Sequence, residues 1–141
     1  MHNPFGYRLI PHTADIGIEA WAEELEGVFV AAARGFRELL FGSVPIGTCL
    51  AQRVSVNANN SAELLVVWLN EILYCFEVKA MAPAEFEIQS LSNTALVAII
   101  KGELYHPERH PVQHQVKAVT YHQLTLEQKA SGWYGKVYVD L

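Results

Sequence analysis

Hydrophobic residues recur along the chain with two periods, and the period separates strands from helices. A short strand is predicted over residues 5–10, before a turn around Pro11, and alternation predicts strands over residues 16–21 and 52–58. Between the second and third of these, residues 23–41 carry their apolar side chains on one helical stripe, with glutamates near the start and Gly42 placed to end the last turn. We therefore predict an amphipathic helix there.

A second helix is predicted after Asn60, because Glu63 three residues later completes a variant of the capping box. It extends to about residue 79 and is apolar on nearly every side, as a central core helix is, and Pro83 is expected to end this region. The remaining strands are predicted over residues 85–91, 95–105, 115–121, 124–128 and 133–141, with a proline-containing loop over 106–114. Residues 1–141 are thus predicted to form a single α+β domain in which antiparallel-rich β-sheets are packed with two main α-helices.

Composition and charge narrow the classes of function. The 141 residues are 51% hydrophobic and 18% charged, as in ordinary globular proteins. The formal net charge is −5 and no run of Lys or Arg occurs, whereas proteins that bind nucleic acid unaided carry a basic face. We therefore expect no strong binding of RNA by this chain alone.

Features of targeting and redox chemistry favour the cytoplasm. The segment MHNPFGYRLI lacks the basic start and long apolar run of a signal peptide, and no stretch of about 20 apolar residues suggests a membrane span. Cys49 and Cys75 are too few and too isolated for a disulfide framework or a metal knuckle. We expect both cysteines to be small, reduced core residues of a cytoplasmic protein with no membrane partner.

The two aspartates are the first candidates for a site. Of the fifteen acidic residues only Asp15 and Asp140 are aspartates, and each is next to a predicted strand. Short carboxylates suit a hard divalent cation held close to the backbone, and the α-carboxylate of Leu141 is a further oxygen donor beside Asp140. The alternative is that both aspartates merely form turns.

The histidines offer a rival site. His106, His110 and His114 recur at intervals of four residues, which on a helix would align three zinc ligands on one face. Pro107 and Pro111 exclude that helix, because proline lacks an N–H and restricts the residue before it. The sequence therefore favours a solvated loop with scattered histidines over a zinc site.

Motifs for nucleotide chemistry are missing from the sequence. Neither a glycine-rich phosphate loop nor a G-x-S-x-G nucleophile motif is present. A polar stretch from Lys117 to His122 lies on a predicted strand. It is either a patch that contacts a partner or the solvated face of that strand.

Several segments, taken in order, resemble the archease family. They are HTADIG at residues 12–17, ELLVVWLNE at 63–71, GE at 102–103, RH at 109–110, VKAVTYH at 116–122 and VDL at 139–141. Together they extend over nearly the whole chain, and their combination is specific although no single segment decides it.

The resemblance implies a function that spacing alone does not show. Archease-like proteins assist the RNA ligase RtcB by promoting its guanylylation and multiple turnover in tRNA splicing or RNA repair, while the GTP and Mn²⁺ chemistry belongs to the ligase. A protein of this kind is an activator and not an enzyme, and it meets RNA only indirectly through the ligase.

The resemblance also implies a metal site. The family binds a divalent cation, typically calcium, through ligands that correspond here to Asp15, Asp140 and Leu141. His12, Lys117 and His122 lie in matching motifs and are candidates for contacting the partner or supporting the site.

Two other classes of function remain open at this point. A metal-dependent phosphoester hydrolase would use a cation on Asp15 and Asp140 to activate water, with Glu103 or His110 as general base. A chaperone or interaction module would bind clients through an exposed apolar patch without depending on metal.

Overall fold

The structure is a computed structural model that describes residues 4–11 and 14–141. In these residues seven strands and two helices confirm the expected α+β class. In chain order they are β1 Gly6–Pro11, β2 Asp15–Ala22, α1 Leu25–Phe41, β3 Leu50–Asn57, α2 Ser61–Glu77, β4 Met81–Leu91, β5 Ala95–Leu104, β6 Ala118–Lys129 and β7 Gly132–Asp140.

The strands form two antiparallel sheets. The larger sheet has the order β1-β2-β7-β6 and the smaller sheet the order β3-β5-β4. Helix α1 contacts β1, β2 and β7 of the larger sheet and β4 of the smaller one, and α2 contacts β6 as well as all three strands of the smaller sheet. Both sheets therefore share one core with the helices, and the pairing of β2 with β7 places the second strand of the chain beside its last strand.

Each helix begins and ends within two residues of its predicted bounds. Helix α1 stops at Gly42, which has a φ of 65° and donates its N–H to the Glu38 oxygen, a backbone conformation that favours glycine. Before α2, the Asn60 side chain accepts a hydrogen bond from the Glu63 N–H at 2.9 Å and donates to the Glu63 carboxylate at 2.6 Å. The expected variant of the capping box is thus confirmed, and it satisfies one of the free N–H groups of the first turn.

Strand β4 departs from the prediction because it begins at Met81, before Pro83, and not at residue 85. Pro83 does not end the ordered region but lies inside the strand. A proline is tolerated here because β4 is at the edge of the smaller sheet, and the register shifts between Pro83 and Glu85.

Strand β6 was predicted as two strands over 115–121 and 124–128, but it is one strand with a bulge. Thr120 pairs with Tyr138 and Thr125 pairs with Lys136, so the segment between the two threonines bulges out of the ladder. Gln123 in this bulge has a φ of 50°. The bulge shifts which side chains point to each face of the sheet. In the sequence this shift looks like a short loop between two separate strands.

Two expectations about environment have different outcomes. Cys75 is buried as expected, but Cys49 is exposed in the segment between α1 and β3, so the core prediction is wrong for that residue; both are free thiols. Over the described ranges, neither helix has the length and apolar character needed to cross a membrane.

Candidate metal centre

Asp15 and Asp140 lie directly opposite each other in the ladder between β2 and β7. Asp15 is the first residue of β2 and Asp140 is the last residue of β7. Directly opposed residues of an antiparallel pair project from the same face, with Cβ atoms about 5 Å apart. The fold therefore brings together the two aspartates of the chain.

The alternation of these strands turns both aspartates away from the core. Ile16 and Ile18 on β2 and Val137 and Val139 on β7 are buried beneath the sheet. Residues one position away from them point to the opposite side. Asp140 is accordingly exposed, and Asp15 is half-buried.

Strand β6 forms the other side of this end of the sheet. Ala118 pairs with Asp140, and the Lys117 N–H donates a hydrogen bond to the Asp140 backbone oxygen at 2.9 Å. The side chain of Asn70 on α2 fixes the strand, because its Nδ2 donates to the Val119 oxygen at 2.9 Å and its Oδ1 accepts from the Val119 N–H at 3.0 Å. Asn70 thus positions β6 beside Asp140.

Asn70 is the functional residue that the sequence reasoning missed. It lies in the ELLVVWLNE segment at residues 63–71, for which no roles of single residues were predicted. Asn70 is half-buried, and a single amide inside an apolar helix is itself a signal, because polar groups withdrawn from water are hydrogen-bonded to other polar groups. The pattern does not reveal which backbone the amide bonds.

A cleft of about 570 Å³ is lined by Leu141, the residue that follows Asp140, although neither aspartate lines it. Phe76 and Tyr105 line its apolar part, and Lys117 and Leu141 line the part that adjoins Asp140. Leu141, which follows Asp140 in the chain, and Lys117, whose N–H bonds the Asp140 backbone oxygen, therefore both line a largely apolar groove that is open to solvent.

The remaining predicted residues have mixed outcomes. His122 is exposed and lies in the β6 bulge. Its ring centroid is 6.1 Å from that of Tyr138, and Tyr138 is two residues before Asp140 in the chain. Lys117 has an exposed side chain and contributes the backbone bond described above. The prediction for His12 falls outside the described residues.

The three regularly spaced histidines do not converge. His110 is fully buried, its Nδ1 accepts a hydrogen bond from the His106 N–H at 3.0 Å, and its Nε2 lies 3.0 Å from the Glu103 carboxylate. Since Nδ1 accepts, Nε2 carries the proton and donates to Glu103. The His114 ring instead contacts the Leu39 oxygen at 2.9 Å. The expected solvated loop is wrong for His110, and within the described part of the chain no group of three or more His, Cys, Asp or Glu residues is arranged to bind a metal.

Glu103 completes a closed polar cluster with His110, Arg109 and Gly47, which we call the Glu103 cluster. Its carboxylate accepts hydrogen bonds from the Gly47 N–H at 2.6 Å, from His110 and from the Arg109 guanidinium at 2.9 Å. The Gly47 N–H above all, with His110 and Arg109, lowers the pKa of Glu103 to about 2. Glu103 and His110 are both buried, so neither is exposed as a general base.

The sequence profile of the archease protein family (MTH1598/TM1083) matches residues 7–141. The chain belongs to the archease family. The archease of Methanosarcina mazei is 35% identical to it in an alignment 139 residues long, which covers 96% of this chain and 95% of that protein. The archease of Pyrococcus furiosus is 28% identical in an alignment 134 residues long, which covers 92% and 94% of the two chains.

Solved structures resemble this archease along its whole length. The solution structure of protein 1598 of Methanobacterium thermoautotrophicum aligns with a TM-score of 0.82 and 26% identity, over 96% of this chain and 99% of that one. The crystal structure of a Thermotoga maritima archease, described as a possible chaperone, aligns with a TM-score of 0.57 and 22% identity, over 100% and 98% of the two chains. The second likeness supports the archease fold alone.

Proposed function

We propose that this archease is a metal-dependent accessory activator of an RtcB-type RNA ligase, acting in the cytoplasm in tRNA splicing or RNA repair. The observation that carries the proposal is the direct pairing of Asp15 with Asp140 on the outward face of the larger sheet. Membership of the family expected to assist this ligase supports the choice of partner. The lack of a nucleotide-binding loop in the sequence agrees with an activator that leaves the GTP chemistry to the ligase.

The donor set suits a divalent cation, for which calcium is the expected identity. Two carboxylates directly opposite each other on a sheet repel, and a divalent ion between them replaces that repulsion with shared coordination. Asp15, Asp140 and an oxygen of Leu141 would hold the ion, all three being oxygen donors of the kind that calcium prefers. When bound, the ion would supply a local positive charge next to the partner.

The activator acts by biasing the ligase between two states. A protein that contributes no reacting group promotes guanylylation only if it binds the competent state of the ligase more tightly than the other state. The surface for this includes the metal end of the sheet, the exposed side chains of Lys117 and His122, and the apolar groove that Leu141 lines. RNA is reached through the ligase.

A chaperone or interaction module is the second candidate. Tyr74, Val78 and Leu104 are large apolar residues that are exposed near the end of α2 and of β5. Exposed apolar surface is what such a protein would present to clients. The hydrolase alternative loses support, because Glu103 and His110 are engaged with each other in the buried Glu103 cluster.

The test is multiple-turnover ligation by the purified cognate ligase with GTP and Mn²⁺, on RNA with a 2′,3′-cyclic phosphate and a 5′-hydroxyl end. Wild-type archease is expected to stimulate turnover, and Asp15→Asn and Asp140→Asn to lose the stimulation. Glu127→Gln is a matched control, because Glu127 is an exposed carboxylate of the same sheet that pairs with Tyr134, away from the aspartates. Stimulation by folded aspartate variants at the wild-type level would contradict the metal-dependent mechanism. Equal protection of the ligase from aggregation by all variants would favour the chaperone.

A further inference from the structure

Leu141 belongs both to the aspartate end of the larger sheet and to the apolar core. It follows Asp140, the last residue of β7, and its half-buried side chain packs against the core. Val139 is fully buried and Asp140 is exposed. The alternation of side chains along β7, continued by one residue, directs the Leu141 side chain towards the core. The residue therefore has a main-chain oxygen close to Asp140 and an apolar side chain that faces inwards.

The cleft that Leu141 lines has an apolar wall that is itself part of the core. Leu73 and Phe76 of α2 belong to this wall, and Leu73 is only 5% exposed. The Phe76 ring stands edge-on to the rings of Phe41 and Tyr105, with centroids 5.0 and 4.9 Å apart. Interlocked rings of this kind are close-packed and hold their positions. The wall is therefore a firm surface on one side of Leu141.

Strand pairing fixes the backbone as far as Asp140. In the two ladders Asp140 pairs with Asp15 and with Ala118. Its backbone oxygen accepts the hydrogen bond from the Lys117 N–H at 2.9 Å. Strand β7 ends at Asp140, so Leu141 lies beyond both ladders. Among the described residues, what holds Leu141 there is the packing of its side chain against the core.

An oxygen ligand binds a cation more tightly when its position is fixed beforehand, because ordering the backbone of one residue costs conformational entropy. We propose that Leu141 is a positioning residue for the cation: the packing of its side chain against the core holds its main-chain oxygen beside Asp15 and Asp140 before the ion binds. This inference rests on the proposed function, because it concerns the same cation. It assigns a role to the side chain, which contributes no ligand atom.

Substitutions at position 141 separate the side chain from the oxygen. Every amino acid has a main-chain oxygen, so a substitution leaves that ligand in the chain and changes only what holds it. Leu141→Ala removes most of the apolar contact, whereas Leu141→Ile keeps the apolar volume. Leu50→Ala is the matched control, because Leu50 is 44% exposed and lies on β3, an edge strand of the other sheet.

Calorimetric titration with calcium gives the first measurement. Leu141→Ala is expected to bind the ion about tenfold more weakly than the wild type, since the oxygen must then be ordered on binding. Leu141→Ile should bind within about twofold of the wild type, and Leu50→Ala with unchanged affinity. Urea unfolding in a chelator confirms that each protein is folded. A purely structural side chain would change the free energy of unfolding and leave the calcium affinity of the folded protein as it was.

Methyl resonances give the second measurement. In ¹H–¹³C spectra of the metal-free wild type, NOEs are expected from the Leu141 methyls to the cleft wall, and calcium should shift these methyls saturably while those of Leu50 stay in place. The inference is overturned if the NOEs are absent, if Leu141→Ala binds calcium as tightly as the wild type, or if Leu141→Ile binds as weakly as Leu141→Ala. A wild type that binds no calcium would instead overturn the cation site itself, and this inference with it.

Discussion

Two groups of polar residues, one on each sheet, differ in how their charges are arranged. In the Glu103 cluster a buried carboxylate meets three donors of neutral or positive charge, and the buried His110 ring uses both nitrogens. At the end of the larger sheet, Asp15 and Asp140 are two like charges placed opposite each other on an outward face. The hydrogen bonds of the first arrangement stabilise its charge, whereas the second would be stabilised by the cation that we propose it binds.

The difference separates residues that stabilise the fold from residues that we propose bind a ligand. The Glu103 cluster joins β5, the segment containing Gly47 and the loop around His110, so its hydrogen bonds replace regular structure in those connections. The aspartates are not needed for the pairing of β2 with β7, because the backbone ladder and buried residues such as Ile18 and Val137 provide it. A polar cluster in which the charged group is hydrogen-bonded to several donors thus indicates a structural role. Two like charges placed opposite each other indicate a candidate binding site.

The largest effect is expected from His110→Phe. Phenylalanine keeps the ring beside Phe41 and Tyr105 but removes both hydrogen bonds, which leaves the His106 N–H and part of the Glu103 carboxylate without their partner. The free energy of unfolding in urea should fall by about 3 kcal/mol. His122→Phe, at an exposed position, is the matched control and should change it by less than about 0.5 kcal/mol. Equal effects of the two substitutions would contradict the structural role of the cluster.

The same cluster predicts an acid-sensitive stability. Its donors lower the pKa of Glu103 from 4.5 to about 2, so the charged carboxylate stabilises the fold at any pH above its unfolded value of 4.5. That contribution is lost as the pH falls from 4.5 towards 2, because protons then bind the unfolded chain first. Urea unfolding across this window should show a steeper loss for the wild type than for Glu103→Gln. Identical pH dependence of the two proteins would refute the assignment.

Asn70→Ala is expected to affect both fold and activation. It leaves the N–H and the carbonyl of Val119, a buried residue, without the amide that pairs with them, so the unfolding free energy should fall by about 2 kcal/mol. Asn70→Asp keeps the acceptor but loses the donor and should lie between wild type and alanine. Stimulation of the ligase should fall in the same order, because β6 is no longer fixed beside Asp140. A fully active Asn70→Ala protein would show that this position does not matter for the site.

The smallest effect has an unusual sign. In buffer with a chelator, Asp140→Asn should stabilise the protein by about 0.5 kcal/mol, because it removes the repulsion of two opposed carboxylates. In excess calcium the order should reverse, since only the wild type gains stability from binding the ion. Thermal unfolding with and without calcium measures both. Destabilisation by Asp140→Asn in the chelator would mean that the pair is not repulsive.

The sequence predicted the elements well where a single period persists. Helix α1, the cap at Asn60 and the strand that contains Ile16 and Ile18 follow local patterns, and they form as predicted. The start of β4 and the unity of β6 depend on tertiary context. Pro83 is acceptable only because β4 is an edge strand, and the β6 bulge is recognisable only from its pairing with β7. Edge position and register are not local properties of a sequence.

The candidate site was predictable in its residue types but not in its arrangement. The scarcity of aspartate singles out Asp15 and Asp140, whereas their pairing depends on β2 and β7 being neighbours. For His110 the sequence favoured a solvated loop over a zinc site, and neither alternative revealed that its buried ring is paired with Glu103. Asn70 could not be assigned, because its role is to bond the backbone of a strand far along the chain.

Calorimetric titration with calcium tests the central claim most directly. The account predicts that the wild type and Glu103→Gln each bind one cation per chain with the same affinity, while Asp15→Asn and Asp140→Asn show no measurable binding. Undiminished calcium binding by the two aspartate variants, or its loss in Glu103→Gln, would contradict the account.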